Sequence, residues 1–242
     1  SWDVSKGDPV AGSAVDPKQV GVSTNWKKVV VATNHVCALN TSSEIWCWGS
    51  NAYGQLGVGT FTDSQTPVIA KGFGKQWIDL STSKNQTCAL TSTDLWCWGA
   101  LSANASMPTF QNVKNPTFSS TSRIQIGVVQ AIQTGGKIWV RSDFSVADFS
   151  ELTAAVGQSW SSVQVRPVGL QSDWGSNWNP RMFALCAILS TGAAKCYNKY
   201  DYTQVTDLGG YTDWVSLSQL SDDPREPICG IEGASQLQVL CF

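Results

Sequence analysis

One histidine and eight cysteines are the residues of this 242-residue chain with the most obvious capacity for chemistry. Any imidazole-based mechanism must pass through His35, two residues before Cys37. No Gly-x-Ser-x-Gly elbow, phosphate loop or His-Glu-x-x-His string accompanies it. The cysteines fall into pairs, Cys37 with Cys47, Cys88 with Cys97, Cys186 with Cys196 and Cys229 with Cys241, spaced ten, nine, ten and twelve apart. None has the tight spacing of a zinc site. Each pair brackets a short turn between two apolar runs, so each reads as a disulfide across adjacent antiparallel strands. Non-hydrogen-bonded positions there bring Cα atoms to about 4.5 Å, within bridging range. With every thiol spent, no cysteine nucleophile remains; the expectation is a non-enzyme with no cofactor and no metal. Asp222, Asp223 and Glu226 crowd one acidic turn, but their spacing is not that of a calcium loop.

Four local bridges imply an oxidising compartment. Three sequons, at Asn40, Asn85 and Asn104, point the same way, and together they predict a secreted, extracellular glycoprotein. Asn40 falls on a hairpin turn, where a glycan is expected to be accommodated easily. The chain opens at Ser1 without a signal-like apolar stretch, which suggests a processed product or a trimmed piece. Charged residues are only 14% and the net charge is −2. A nucleic-acid partner would require a basic footprint, so none is expected. No apolar run reaches the length of a membrane span.

The elements that position these residues are repeated. Residues 37–49 read Cys-Ala-Leu-Asn-Thr-Ser-Ser-Glu-Ile-Trp-Cys-Trp-Gly, and residues 88–99 read Cys-Ala-Leu-Thr-Ser-Thr-Asp-Leu-Trp-Cys-Trp-Gly. Trp26 and Trp77 precede the two copies at the same distance, 51 residues apart. Such a period marks a solenoid or propeller. Eroded copies follow at Gln130–Val140, Cys186–Cys196 and Cys229–Cys241, with Trp160 and Trp214 opening the last two. Gln130 and Val140 stand where the third unit would carry its cysteines.

The predicted fold is therefore all-β: one propeller of five blades, each of four antiparallel strands. Blade 1 spans about 25–74, blade 2 about 75–118, blade 3 about 119–157 and blade 4 about 158–210. Blade 5 spans about 211–242 together with 1–24. Pro17 precedes Trp26 much as Pro67 precedes Trp77, so the N-terminal segment is expected to complete the last blade and close the ring. Continuous apolar runs such as Ile45–Trp48 suit strands buried on both faces, with most of the twelve tryptophans wedged between blades.

Trp26 through Pro67, with His35-x-Cys37-Ala38-Leu39 and Trp46-Cys47-Trp48-Gly49-Ser50-Asn51-Ala52-Tyr53-Gly54-Gln55-Leu56-Gly57, resembles a repeat of the regulator of chromosome condensation family. The Gly-Ser-Asn-x-x-Gly-Gln-Leu-Gly string is specific to it. The second unit matches up to Gly99, and the later three only weakly. The resemblance implies a propeller, commonly of seven blades, and implies a structural role for His35 against a neighbouring loop. It fixes no function, since members include a nuclear exchange factor, an ultraviolet receptor and a secreted β-lactamase inhibitor.

Loops on one end of the ring are the expected binding surface. The fourth unit inserts Asp173, Trp174, Asn177, Trp178 and Arg181 between its first two strands; the fifth inserts Asp222, Asp223 and Arg225. Exposed loops on a rigid scaffold commonly carry function, and tryptophan beside arginine has hot-spot composition. The alternative is that both tryptophans plug the end of the ring. The expected function is a secreted non-catalytic propeller that binds an extracellular protein or assembles into a larger extracellular structure. A glycan-binding lectin is the alternative, and inhibition of a secreted enzyme a further one. A lectin built on repeats should show one polar-aromatic set in several units, and the loops of the last three diverge.

Overall fold

The computed structural model describes residues 19–71, 74–102, 105–113, 118–119, 121–127, 130–141, 149–152, 159–165, 185–197, 205–207, 213–218, 229–233 and 238–241. Regular structure in them is all β, in five antiparallel sheets whose strands pair in sequence order. Sheet 1 holds β1 (Trp26–Val31), β2 (His35–Asn40), β3 (Ile45–Gly49) and β4 (Ser64–Ile69). Sheet 2 holds β5 (Asp79–Ser83), β6 (Gln86–Leu90), β7 (Leu95–Ser102) and β8 (Ala105–Val113). Sheet 3 holds β9 (Arg123–Ile126), β10 (Gln130–Thr134), β11 (Lys137–Arg141) and β12 (Ser150–Leu152). Sheet 4 holds β13 (Trp160–Val165), β14 (Leu185–Leu189), β15 (Ala194–Tyr197) and β16 (Val205–Asp207), and sheet 5 holds β17 (Trp214–Leu217), β18 (Cys229–Glu232) and β19 (Gln238–Cys241).

The core is a series of layers between consecutive sheets. Cys37, Leu39, Ile45 and Cys47 of sheet 1 pack against Trp77, Leu80, Ala89 and Trp98 of sheet 2. Cys88, Leu90 and Leu95 then pack against Ile124, Ile126 and Ile132 of sheet 3. Sheets 3 and 4 meet through Ala131, Val140, Trp160 and Val163, and sheets 4 and 5 through Cys186, Ile188, Trp214 and Leu217. This layering explains why β2, β6 and β14 are buried at every position. Strands covered on both faces lose the apolar–polar alternation of a half-exposed sheet.

All four cysteine pairs are disulfides between residues directly opposite in the second and third strands of their sheets. Sheet 3 corrects one expectation. Val140 faces Ala131, not Gln130, and Gln130 faces Arg141. The reason is the turn. Gly135 and Gly136 both adopt positive φ, 57° and 74°, in a two-residue hairpin connection of the type that favours glycine. That turn is tighter than the Thr41–Glu44 connection of sheet 1, so the partner of Val140 moves one place along.

Residues 1–18, the greater part of the segment expected to complete the last blade, lie outside the described residues. Residues 19–25 form no strand, and a Cβ on Gly21 would lie 3.5 Å from Cγ of Pro67 in β4, beside sheet 1.

Candidate functional site

The first boundary shows what the lone histidine does. His35 opens β2, is 2% exposed, and places Nε2 2.9 Å from the Thr87 hydroxyl of sheet 2. Thr87 Oγ1 in turn donates to the Gln55 carbonyl at 2.9 Å, which also accepts the Trp98 indole N–H at 3.0 Å. Burial lowers the His35 pKa from 6.5 to about 4, with a hydrogen bond to the Lys84 backbone opposing it. The ring is thus neutral near neutral pH and fastens one sheet to the next. The Gly54–Gly57 string belongs to the same fastening. Asn51 holds this loop from within, donating through Nδ2 to the carbonyls of Thr60 and Thr62 and accepting the Leu56 N–H.

Further ties recur along the stack. Backbone N–H groups of Trp77, Trp160 and Trp214 donate to Ser43, Gly136 and Gly192, each in the hairpin turn of the preceding sheet. Ser81 Oγ accepts the Ile126 N–H, and Gln125 Oε1 accepts the Val165 N–H, at equivalent places on successive sheets. Asp79 is 2% exposed; one oxygen meets Lys28 Nζ of sheet 1 at 2.7 Å and the other accepts the Ile124 N–H of sheet 3 at 2.9 Å. Sequence reading missed these residues, because polar side chains at strand positions carry no local mark of what lies across a boundary.

Sheet 3 replaces its missing bridge with a polar pair. Arg141 Nε donates to Gln130 Oε1 at 2.7 Å, a second guanidinium nitrogen donates to the same oxygen, and Arg141 Cζ lies 4.8 Å from the Phe149 ring centroid. Gln130 Nε2 points back to Cys88 Sγ and Cys97 Sγ, at 3.3 and 3.6 Å. Both side chains are buried. A buried guanidinium is tolerable only when its donors are satisfied.

The hairpin turn expected to accommodate a glycan at Asn40 spends that residue internally. Asn40 is 5% exposed, its Nδ2 donates to Glu44 Oε2 at 2.8 Å, and its Oδ1 accepts the Glu44 N–H at 2.9 Å. The atom that would carry sugar faces its own turn. Asn85 is half-buried and accepts from Asn34 Nδ2 at 2.6 Å. Asn104 lies outside the described residues, as do Asp173, Trp174, Asn177, Trp178, Arg181, Asp222, Asp223 and Arg225.

The described strands fix only which strand ends these segments join. Residues 166–184 join β13 to β14, and 218–228 join β17 to β18. The same connection is 32–34 in sheet 1 and 84–85 in sheet 2. Both long segments therefore leave from the strand end where the short turns of the other sheets sit. Among the described residues no group of three or more His, Cys, Asp or Glu could hold a metal ion, and no helix is long and apolar enough to cross a membrane.

A family model described as the regulator of chromosome condensation (RCC1) repeat matches residues 42–90, and a second of the same description matches 26–55. A human relative, "Probable E3 ubiquitin-protein ligase HERC4", is 53% identical over 38 residues, 15% of this chain and 4% of that protein. Among solved structures, human WBSCR16 superposes with a TM-score of 0.56 at 14% identity, covering 72% of this chain and 47% of its own. The computationally designed Ika8 protein superposes with a TM-score of 0.51 at 12% identity, covering 90% of this chain and 58% of its own. The chain thus spans about half the length of these solved structures and a small fraction of the human ligase. The likeness to the two structures is one of fold alone.

Proposed function

From a chain whose residues 26–90 belong to the regulator of chromosome condensation repeat family, we propose a secreted, non-catalytic propeller of five blades that binds an extracellular protein through loops at one end. One observation carries this reading: the chain's lone imidazole is buried and neutral in a boundary, spent on holding sheets together. With the cysteines also spent, as disulfides, the residue types best suited to catalysis serve architecture instead. What varies is the connection between the first two strands, enlarged at 166–184 and 218–228. A stiff stack with two enlarged neighbouring loops is suited to holding a partner at low ordering cost.

Four disulfides support an oxidising compartment. Trp174, Trp178 and Arg181 within 166–184, with Asp222, Asp223 and Arg225 in the next loop, have the composition of a contact hot spot. Capture of partners from the native source fluid by the intact chain is the direct test. A captured protein that is lost on Trp174→Ala, with far-ultraviolet circular dichroism unchanged, supports the reading. Sugar binding on a glycan array that disappears with Trp174→Ala would replace it with the lectin reading. Inhibition of a secreted enzyme is a special case of protein binding at the same loops.

A further inference from the structure

Two of the sequons lie in turns whose hydrogen bonding treats the asparagine amide in opposite ways. Asn85 sits in the two-residue connection 84–85 between β5 and β6, beside Lys84 at a positive φ of 46°. Its backbone carbonyl accepts the Ala100 N–H at 2.9 Å. Its side-chain Oδ1 accepts Asn34 Nδ2 at 2.6 Å, from the matching turn of sheet 1. The residue is thus held through its main chain and its amide oxygen. Nδ2 makes no hydrogen bond among the described residues and is not one of the buried side-chain atoms left without a partner. Asn85 is partly exposed, and Asn34 and Lys84 next to it are exposed. Asn40 is the reverse case: the residue is buried and its Nδ2 donates to Glu44 Oε2 at 2.8 Å.

The chemistry of sugar attachment makes this difference count. An oligosaccharyl diphosphate supplies the sugar. The bond from Nδ2 to the sugar C1 forms, and the bond from C1 to the diphosphate oxygen breaks, its electron pair leaving with the diphosphate. The amide gives up one of its two Nδ2 protons, and its oxygen is untouched. At Asn85 every bond seen in the fold survives that change. At Asn40 the sugar would have to leave from an atom packed against Glu44. The sequon hydroxyl of Thr87 is buried and bonded to His35 and to the Gln55 carbonyl, so transfer must precede the stacking of sheets 1 and 2. The fold then selects which modified chains can be completed, since a bulky hydrated glycan is tolerated only at the surface.

We propose that Asn85 is the acceptor this fold leaves open: in a glycosylating compartment it takes an N-linked glycan that the folded protein keeps, and Asn40 does not. The inference rests on the extracellular reading of the chain. The sugar stands at the strand end from which 166–184 and 218–228 also leave, because all three segments join the first strand of a sheet to its second.

Peptide mapping of the intact chain, exported from insect cells behind a cleavable leader, tests it. The leader delivers the chain to the transferase whatever its native location. Enzymatic release of the glycans in heavy-oxygen water turns each occupied asparagine into a labelled aspartate, and fragment ions locate the label. In the secreted, disulfide-complete fraction, residue 85 is expected to be labelled on most chains and residue 40 to be unlabelled. Asn85→Gln, which keeps an amide oxygen for Asn34, should remove the label at that position. A bare Asn85, a labelled Asn40 in that fraction, or a labelled Asn85 found only in retained, misfolded chains would each overturn the proposal. Native location is read separately, by immunoblot of the source's fluid and cells. A chain confined to the cells would remove the extracellular reading and leave the acceptor result standing.

Discussion

Lys28 and Asp79 are joined across the first boundary by a 2.7 Å ion pair, and the same carboxylate reaches forward to the Ile124 N–H of the third sheet. One side chain thus ties three consecutive sheets. Its burial is tolerable because both oxygens are used. The lysine arm stays partly in water, with its side chain 36% exposed, so the forward bond to a buried backbone donor carries more of the weight.

Asp79→Ala is expected to destabilise the protein by about 2–4 kcal/mol, since it strands a buried N–H and removes the partner of Lys28. Asp79→Asn keeps an acceptor for Ile124 and should cost roughly half as much. Urea denaturation followed by tryptophan fluorescence measures both. Equal losses would mean that the charge, and not the forward hydrogen bond, matters.

His35 makes stability depend on pH in a defined window. Its folded pKa, about 4, lies below the ordinary 6.5, so folding favours the neutral ring. The stabilisation is complete above pH 6.5 and is lost as pH falls toward 4, where the unfolded chain binds a proton that the folded one refuses. The loss from this group is on the order of 3 kcal/mol. His35→Gln should flatten the stability profile between pH 6.5 and 4 relative to the wild type. Parallel profiles would remove the histidine from the account.

The register of sheet 3 makes a covalent prediction. Ala131→Cys combined with Val140→Cys should form a bridge and stabilise by about 2–3 kcal/mol, by analogy with loops of the same length. Gln130→Cys with Val140→Cys should not close, because those residues are not opposite. Free-thiol titration under non-reducing conditions separates the outcomes. In the wild type, sheet 3 amides should exchange faster than those of sheet 1, where a disulfide spans the same strands.

Space, and not φ alone, should rank two glycine substitutions. A Cβ at Gly99, with φ 91°, would overlap the Asn85 carbonyl oxygen, whereas one at Gly135, with φ 57°, meets nothing within 4 Å. Gly135→Ala should cost about 1 kcal/mol for the left-handed backbone. Gly99→Ala adds overpacking and should cost about 2–4 kcal/mol in total. Similar melting shifts for the two would contradict the close approach.

Asn40→Ala should cost about 1–2 kcal/mol, because the turn loses both bonds to Glu44. A glycan would have to leave from Nδ2, which is buried against Glu44, so peptide mapping of material from a glycosylating host is expected to show Asn40 bare in the folded fraction.

Local spacing determined a good deal by itself. Apolar runs bracketing short turns, with a cysteine in each run, specified the second and third strands of four sheets and their covalent partners, because a hairpin and its bridge involve only neighbouring residues. The 51-residue repeat likewise carried Trp26, which opens β1, and Trp77, which lies two residues before β5. Tertiary structure alone decided what lies across each boundary. Asp79, Gln125 and Gln130 are ordinary polar residues in the sequence, and only the stacking of sheets brings them to the backbone or sulfur atoms they bind. The sequon at Asn40 is legible in the sequence, whereas the two bonds of its amide to Glu44 are not. Val29 and Leu80 are both apolar strand residues paired with an alanine one past a bridged cysteine, yet they are 59% and 0% exposed, a difference set by which sheets stack and which no local pattern encodes.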